Sequence, residues 1–222
     1  MAWTYHEPVF AHEPDATAAW RGHRRFGYDL VRNLRPRRLV ELGVCLGTSF
    51  FAFCEAVKDG GLDTELCAVD TWEGDEHTGR YSPDYLERFN EAWRSCFPDL
   101  AVRQIKRPFD EARKDFPAGS VDILHLDGCH SYEAARHDYE TWADSVREGG
   151  VVLFHDIAVR DPDRGYGVYR LWEELKARFP TAEFAHSFGL GVLFTSDPPP
   201  GLALLRDEWR RRYDDTGRGQ LT

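Results

Sequence analysis

The fold is decided by Arg38-Leu39-Val40-Glu41-Leu42-Gly43-Val44-Cys45-Leu46-Gly47, where a short apolar run carrying one acid leads into two glycines four residues apart. Such a run reads as a buried strand. Glycines directly after it let the backbone turn tightly and let a ligand approach without meeting a Cβ. Working outward, similar β-rich runs recur at Glu65 to Asp70, Leu100 to Ile105, Val121 to Asp127 and Gly150 to Asp156, with helical stretches between them. Strands alternating with helices predict βαβ units and a parallel sheet. Val151-Val152-Leu153-Phe154 is apolar on both parities, as a strand covered on both faces requires.

Ser82-Pro83 predicts a helix start, followed by Leu86, Phe89, Trp93 and Phe97 at helical spacing. Ser131 predicts a second cap, with Tyr132, Ala135, Tyr139, Trp142 and Val146 as the buried stripe and Gly149-Gly150 as the break before the next strand. A helix from about Val168 to Phe179 ends at Pro180, and the runs Ala182 to His186 and Gly191 to Thr195 predict a closing hairpin around Gly189. Residues 1–35, with Trp3, Tyr5, Phe10 and Trp20, read as a cap or dimer segment. Residues 36–197 read as the core, and 198–222 as an extension with at most one short helix and a disordered end after Thr216.

The chain has 222 residues with a net charge of minus 10, which suits one domain with accessory segments and disfavours a polyanionic partner such as nucleic acid. No apolar run is long enough to span a bilayer. Met1 to Pro14 carries His6, Glu7, His12 and Glu13 where a secretory leader would be apolar, so a cytoplasmic location is expected. Five cysteines without a C-x-x-C pair read as reduced thiols.

In an open parallel sheet, ligands bind beyond the carboxyl ends of the strands, at the switch in strand order. Those ends here carry Glu41 and the Gly43/Gly47 turn, Asp70-Thr71-Trp72, Arg107-Pro108-Phe109-Asp110, Asp127-Gly128-Cys129-His130, and His155-Asp156. The turn reads E-x-G-x-x-x-G. A dinucleotide fingerprint would need glycine at Cys45 and Thr48, so close approach of a pyrophosphate is not supported. Asp70, 23 residues beyond Gly47, stands where a ribose diol would be held. Packing alone is the other reading of the two glycines.

Three motifs, Asp70-Thr71-Trp72-Glu73-Gly74-Asp75, His125-Leu126-Asp127-Gly128-Cys129-His130-Ser131-Tyr132 and Phe154-His155-Asp156, resemble those of class I S-adenosylmethionine-dependent methyltransferases. The closest likeness is to a small bacterial branch similar to metal-dependent sugar and natural-product O-methyltransferases, over about Arg38 to Thr195. The resemblance implies an α/β fold, a Rossmann-like doubly wound seven-stranded sheet, mostly parallel with the last strand antiparallel. It implies S-adenosylmethionine as cofactor, with Glu41, Gly43 and Gly47 at its amino-acid end, Asp70 on its ribose, Phe109 and Asp110 at the adenine, and Trp72 and Asp127 also in contact. The adenine loop departs from the family pattern, carrying Arg107-Pro108 in place of the usual glycine.

Asp127, His155 and Asp156 occupy positions where catechol-type and macrolide-sugar O-methyltransferases hold magnesium. Imidazole suits manganese, iron or zinc better than magnesium, so His155 reads equally as a base or as a group behind the ligands. His130 is the first choice for general base and His155 the second, because imidazole titrates near neutrality. A helix-cap role for His130 is the plain alternative. His77, Tyr81, Arg160, Arg164 and Tyr166 are candidate acceptor contacts, and Asp138 reads as a solvent-facing acid. The implied activity is methyl transfer to a hydroxyl of a small molecule, sugar or glycosylated natural product. The competing readings are a metal-dependent hydrolase using Asp127, His130, His155 and Asp156, and a non-catalytic relative that keeps the nucleoside pocket. The expected partners are a small-molecule or sugar acceptor and a second copy of the chain.

Overall fold

The computed structural model describes residues 3–197 and 206–214. The Pro198-Pro199-Pro200 run and the Thr216 to Thr222 tail lie outside the described residues. Seven strands form one sheet: β1 (Arg38–Leu42), β2 (Glu65–Asp70), β5 (Val102–Lys106), β6 (Val121–Leu126), β7 (Val146–His155), β8 (Thr181–Phe184) and β9 (Leu190–Phe194). Their order is β5-β2-β1-β6-β7-β9-β8, and β9 runs antiparallel to both of its neighbours. The fold is the Rossmann-like seven-stranded arrangement that the motifs imply. Strands β3 (Gly74–Asp75) and β4 (Gly79–Arg80) form a separate small hairpin above the sheet edge.

Alternation along each strand divides the core into two layers. Leu39, Leu66, Ile123, Val151 and Leu153 face α1 (Arg24–Leu34), α2 (Thr48–Gly60) and α3 (Tyr85–Cys96). Val40, Val69, Leu124, Val152 and Phe154 face α4 (Phe109–Ala112), α5 (Tyr132–Trp142) and α6 (Val168–Lys176). Phe50, Phe51 and Phe53 of α2 are fully buried, and each such side chain contributes about 1.5–3 kcal/mol through removal from water. The aromatic N-terminal segment packs within the same chain: Trp3 stands 4.5 Å from Trp209 of α7 (Arg206–Asp214), and Tyr213 donates to Asp29 of α1 at 2.6 Å.

Strand ends shift by one or two residues, as in β5 (Val102–Lys106) and β8 (Thr181–Phe184), and three larger boundary differences have a clear cause. Helix α3 begins at Tyr85, because Ser82, Pro83 and Asp84 close a turn through Tyr85 N to Ser82 O. Strand β7 begins at Val146 instead of Gly150: α5 ends at Trp142, a 3-10 turn follows, and Val146 already packs in the core. Helix α6 ends at Lys176, and Arg178 N and Phe179 N both turn back to Leu175 O. The Ser131 cap forms as expected, with its Oγ accepting from Ala134 N.

The chain runs from β1 outward through β2 to β5 and then returns to β6 on the other side of β1. The switch in strand order therefore lies between β1 and β6. Leu42 O accepts from Asp127 N, which holds the loops after β1 and β6 side by side at that point, and Val69 O accepts from Gly43 N, which ties the first of these loops to β2. The candidate site opens there.

Candidate active site

Gly43 adopts φ +86°, and a Cβ on it would stand 2.1 Å from the carbonyl oxygen of Asp127. The residue must be glycine on both counts: the left-handed backbone is costly with a side chain, and the neighbouring loop leaves no room. Gly47 also has positive φ, and there a Cβ would meet the Phe51 ring. Asp70 binds the turn from the next strand. One of its carboxylate oxygens accepts from Val44 N and Cys45 N at 2.8 Å each, and the other accepts from Trp72 N at 2.7 Å. Burial pushes its pKa up, against the opposing pull of these three bonds.

Two cavities flank this turn. The larger, about 720 Å³, is lined among others by Ser49, Asp127, His130, Asp156 and Tyr166. The smaller, about 200 Å³, is lined among others by Asp70, Thr71, Pro108, Phe109 and Gly128. Gly43, Asp75, Tyr81, Asp127 and Gly128 belong to both walls, so the cavities meet at the switch point. Gly128 is needed for closure, since a Cβ there would lie 2.6 Å from the Phe109 ring.

Behind Asp127 lies a compact polar cluster. His130 Nε2 is 3.1 Å from Asp156 and 4.0 Å from Asp127. Donor atoms of Asp127, His130 and Asp156 all lie within 4.8 Å of one another, close enough to surround one cation. Burial lowers the His130 pKa, but the hydrogen bond and charge of Asp156, with Asp127 and Asp75 beyond, outweigh it and hold the imidazole above its ordinary value. Asp156 has φ +62°, a left-handed conformation that turns its carboxylate back toward this cluster.

Of the roles considered for His155, namely ligand, base or a group behind the ligands, its contacts match the last. Its Nε2 donates to Ser187 O at 3.1 Å, and its Nδ1 faces Asp156 at 2.9 Å and Asp127 at 3.2 Å. Burial opposes charging, but the two carboxylates dominate and hold the imidazolium well above the usual histidine range. With both nitrogens committed, His155 positions the two carboxylates, and His130 fills the third corner of the cluster.

Glu41 is fully buried on the same face of the sheet as its register partner His125. Ser49 Oγ donates to Glu41, and Trp20 Nε1 donates to His125 Nε2 at 3.1 Å. An indole N–H can only donate, so the His125 proton sits on Nδ1, 3.5 Å from the second Glu41 oxygen. Burial raises the Glu41 pKa, partly offset by His125 and Ser49. Glu41 therefore braces the start of α2 from below and forms no part of either cavity wall.

Other expected residues divide in the same way. Phe109 lines the smaller cavity, whereas Asp110 turns outward to His137 at 2.9 Å. Trp72 is buried against Phe89, donates to Cys45 O at 2.9 Å and stiffens the turn without lining a cavity. Tyr81 and Tyr166 line the larger cavity, and His77 stands behind it, 5.1 Å ring to ring from Tyr166. Arg160 and Arg164 pair with Glu173 and Asp161 away from it. Asp138 is half-buried, with a carboxylate oxygen 3.2 Å from the space over Gly128, and burial pushes its pKa up to about 7. Wall residues with no assigned role in the sequence reading include Asp75, Ser49, His12 and Phe188. Asp75 closes the D-T-W-x-G-D motif. Ser49 opens α2 directly after the glycine turn, while His12 and Phe188 come from distant segments and carry no local signal.

Among the described residues, no helix is long and apolar enough to cross a membrane. The sequence profile of a methyltransferase domain family matches residues 40–157. An uncharacterized protein of Sinorhizobium fredii is 44% identical over 180 residues, covering 81% of this chain and 19% of that protein, so the chain spans about a fifth of that relative. Three solved structures share the fold. The SAH-bound methyltransferase PaMTH1 of Podospora anserina matches with a TM-score of 0.60 at 18% identity, over 79% of this chain and 78% of that one. An O-methyltransferase of Bacillus cereus in complex with SAH gives 0.58 at 15%, over 85% and 84%. TomG of Streptomyces achromogenes, an O-methyltransferase involved in tomaymycin synthesis and solved with SAM, gives 0.57 at 18%, over 84% and 92%.

Proposed function

The chain belongs to the methyltransferase domain family, and on that premise we propose that it transfers the methyl group of S-adenosylmethionine to a hydroxyl of a small molecule or sugar, assisted by a divalent cation. One observation carries this reading above the others. A nucleoside-sized cavity behind Asp70 and Phe109 joins a larger cavity containing Asp127, His130 and Asp156, and the junction is a glycine that tolerates no side chain.

The residues fit the cofactor. Gly43 keeps the junction free of a Cβ, Asp70 fixes the turn and lines the smaller cavity, and Phe109 offers an apolar face for a base. Asp127, shared by both walls, stands where the sulfonium end would meet the acceptor. Glu41 and Gly47 act through the shape of the turn, and Trp72 through its rigidity. Asp110, held by His137, lies at the rim. The bound cofactor supplies a methyl group already electrophilic on sulfur, so the protein has to orient an acceptor and take its proton.

Asp127 and Asp156 are the carboxylates for a magnesium or manganese ion, whose contribution is Lewis acidity toward an acceptor oxygen. His155 holds both carboxylates in place from behind. His130 is the imidazole on the cavity wall, within hydrogen-bond reach of Asp156. With a cation on Asp127 and Asp156 offsetting the carboxylate charge that favours its protonated form, it is free to receive the acceptor proton. Tyr81 and Tyr166 shape the acceptor end. A hydrolase built on the same cluster would leave the glycine junction and the smaller cavity without a task, and the family match is to a methyltransferase domain. The test is transfer of radiolabelled methyl from S-adenosylmethionine to a panel of hydroxylated acceptors, with magnesium, with manganese and with chelator. Label should reach acceptor only when a cation is present. Chelator-independent transfer, unchanged in Asp156→Asn, would remove the cation from the account.

A further inference from the structure

Beside the cluster described above lies another, built from the small hairpin and the turn after β6. The Cys129 Sγ is 3.3 Å from His77 Nδ1, and donor atoms of Asp75, His77 and Cys129 all lie within 4.8 Å of one another. We propose that these three residues form a second metal site, which takes a thiophilic d-block divalent ion of the zinc type and fastens the β3–β4 hairpin to the β6–α5 turn.

The spacing suits one ion. With zinc about 2.3 Å from sulfur and about 2.0 Å from nitrogen, tetrahedral ligation places the two donors about 3.5 Å apart, close to the separation seen. The loop presents the donors in a defined way. Asp75 Oδ1 accepts from His77 N at 2.7 Å and Thr78 N at 2.8 Å, a compact turn that uses one carboxylate oxygen and sets the imidazole beside it. Gly165 has no Cβ to strike His77 Nε2, which would lie only 2.9 Å away, so the loop after β7 closes behind the ring. The donor chemistry separates this site from its neighbour. Thiolate, imidazole and carboxylate together favour zinc, cobalt or iron over magnesium, whereas the two carboxylates of Asp127 and Asp156 suit a harder ion.

The His77 and His130 rings are 5.6 Å apart, so the two clusters are adjacent without sharing a ligand. Asp75 lines both cavities and Cys129 the smaller one. An ion there would hold the wall that the two cavities share. Three protein ligands leave a fourth position for water or an acceptor atom.

Thiolate coordination is read spectroscopically and does not depend on methyl transfer. Reduced, metal-free full-length protein is titrated with Co²⁺, and the near-ultraviolet thiolate-to-cobalt charge-transfer band is recorded. One equivalent should produce the band and Zn²⁺ should bleach it. Cys129→Ser should abolish it, and His77→Asn should weaken cobalt affinity at least about tenfold, the range seen when even an outer partner of a metal ligand is lost. Asp156→Asn, which alters only the neighbouring cluster, should keep the band. Circular dichroism confirms that each variant is folded. No band in the wild-type protein at several equivalents, or a band unchanged in both Cys129→Ser and His77→Asn, would overturn the assignment.

Discussion

Replacing Gly43 with alanine adds one methyl group at the point where the two cavities meet. The new Cβ would lie 2.1 Å from Asp127 O, 2.6 Å from Asp127 C and 3.0 Å from Gly128 N, all backbone atoms. An ordinary contact starts near 3.4 Å, so the loops after β1 and β6 must separate by about 1.3 Å, and no flexible side chain can absorb the movement. Backbone strain at φ +86° adds about 1–2 kcal/mol. The combined cost is about 3 kcal/mol, or roughly 6–12 °C in Tm for a chain of this size. A displacement of this order at the junction should lower the methyl-transfer rate about 100-fold and weaken cofactor binding well beyond threefold. Gly61→Ala is the control. Gly61 also has positive φ, but nothing lies within 4 Å of its Cβ position, so that variant carries the strain without the clash. It should lose about 1 kcal/mol and bind S-adenosylmethionine as the wild-type protein does. Thermal melting and calorimetric titration of the two variants separate the terms. If Gly43→Ala melts with Gly61→Ala and binds cofactor within threefold of wild type, the close approach of the two loops is not what shapes the site.

Asp70→Ala leaves the amides of Val44, Cys45 and Trp72 without their acceptor and should cost about 2–4 kcal/mol together with most cofactor affinity, measured by denaturant unfolding and calorimetry. Asp138 predicts a pH effect: its folded pKa is raised to about 7, so the folded state binds the proton more tightly, and stability falls as pH rises from about 4 to about 7. Asp138→Asn should remove that fall and stabilise the protein above pH 7 by on the order of 2 kcal/mol, as read from urea midpoints at pH 5 and 8. Trp20→Phe removes the donor to His125 at the cost of about 1–3 kcal/mol. It should leave cofactor affinity within about threefold, because Glu41 and His125 line neither cavity and Trp20 touches only the larger, acceptor-side one. A larger loss of affinity in that variant would mean that the buried polar chain governs the turn.

The sheet and the location of the site were legible because they follow from local pattern. Val151 to Phe154 is apolar on both parities, and the glycine turn and Asp70 stand at the ends of adjacent strands. What was not legible depends on partners far apart in sequence. The readings of His155 as ligand, base or a group behind the ligands stay open in sequence until Ser187, 32 residues on, takes its second nitrogen. Asp110 reads as an adenine contact until His137 claims it across 27 residues. Glu41 is hidden because alternation in β1 turns it toward α2, where Ser49 donates to one carboxylate oxygen and His125 stands 3.5 Å from the other. Asp138 follows the polar side of its helix in sequence, yet that side lies over Gly128, where the missing Cβ lets the helix come close. The Asp75, His77 and Cys129 cluster spans 52 residues between the imidazole and the thiol and has no local motif spacing.

Calorimetric titration of the full chain with S-adenosylmethionine tests the central claim most directly. Saturable binding of one equivalent, lost in Gly43→Ala and kept in Gly61→Ala, is the predicted result. No heat of binding at millimolar cofactor from folded wild-type protein would contradict it.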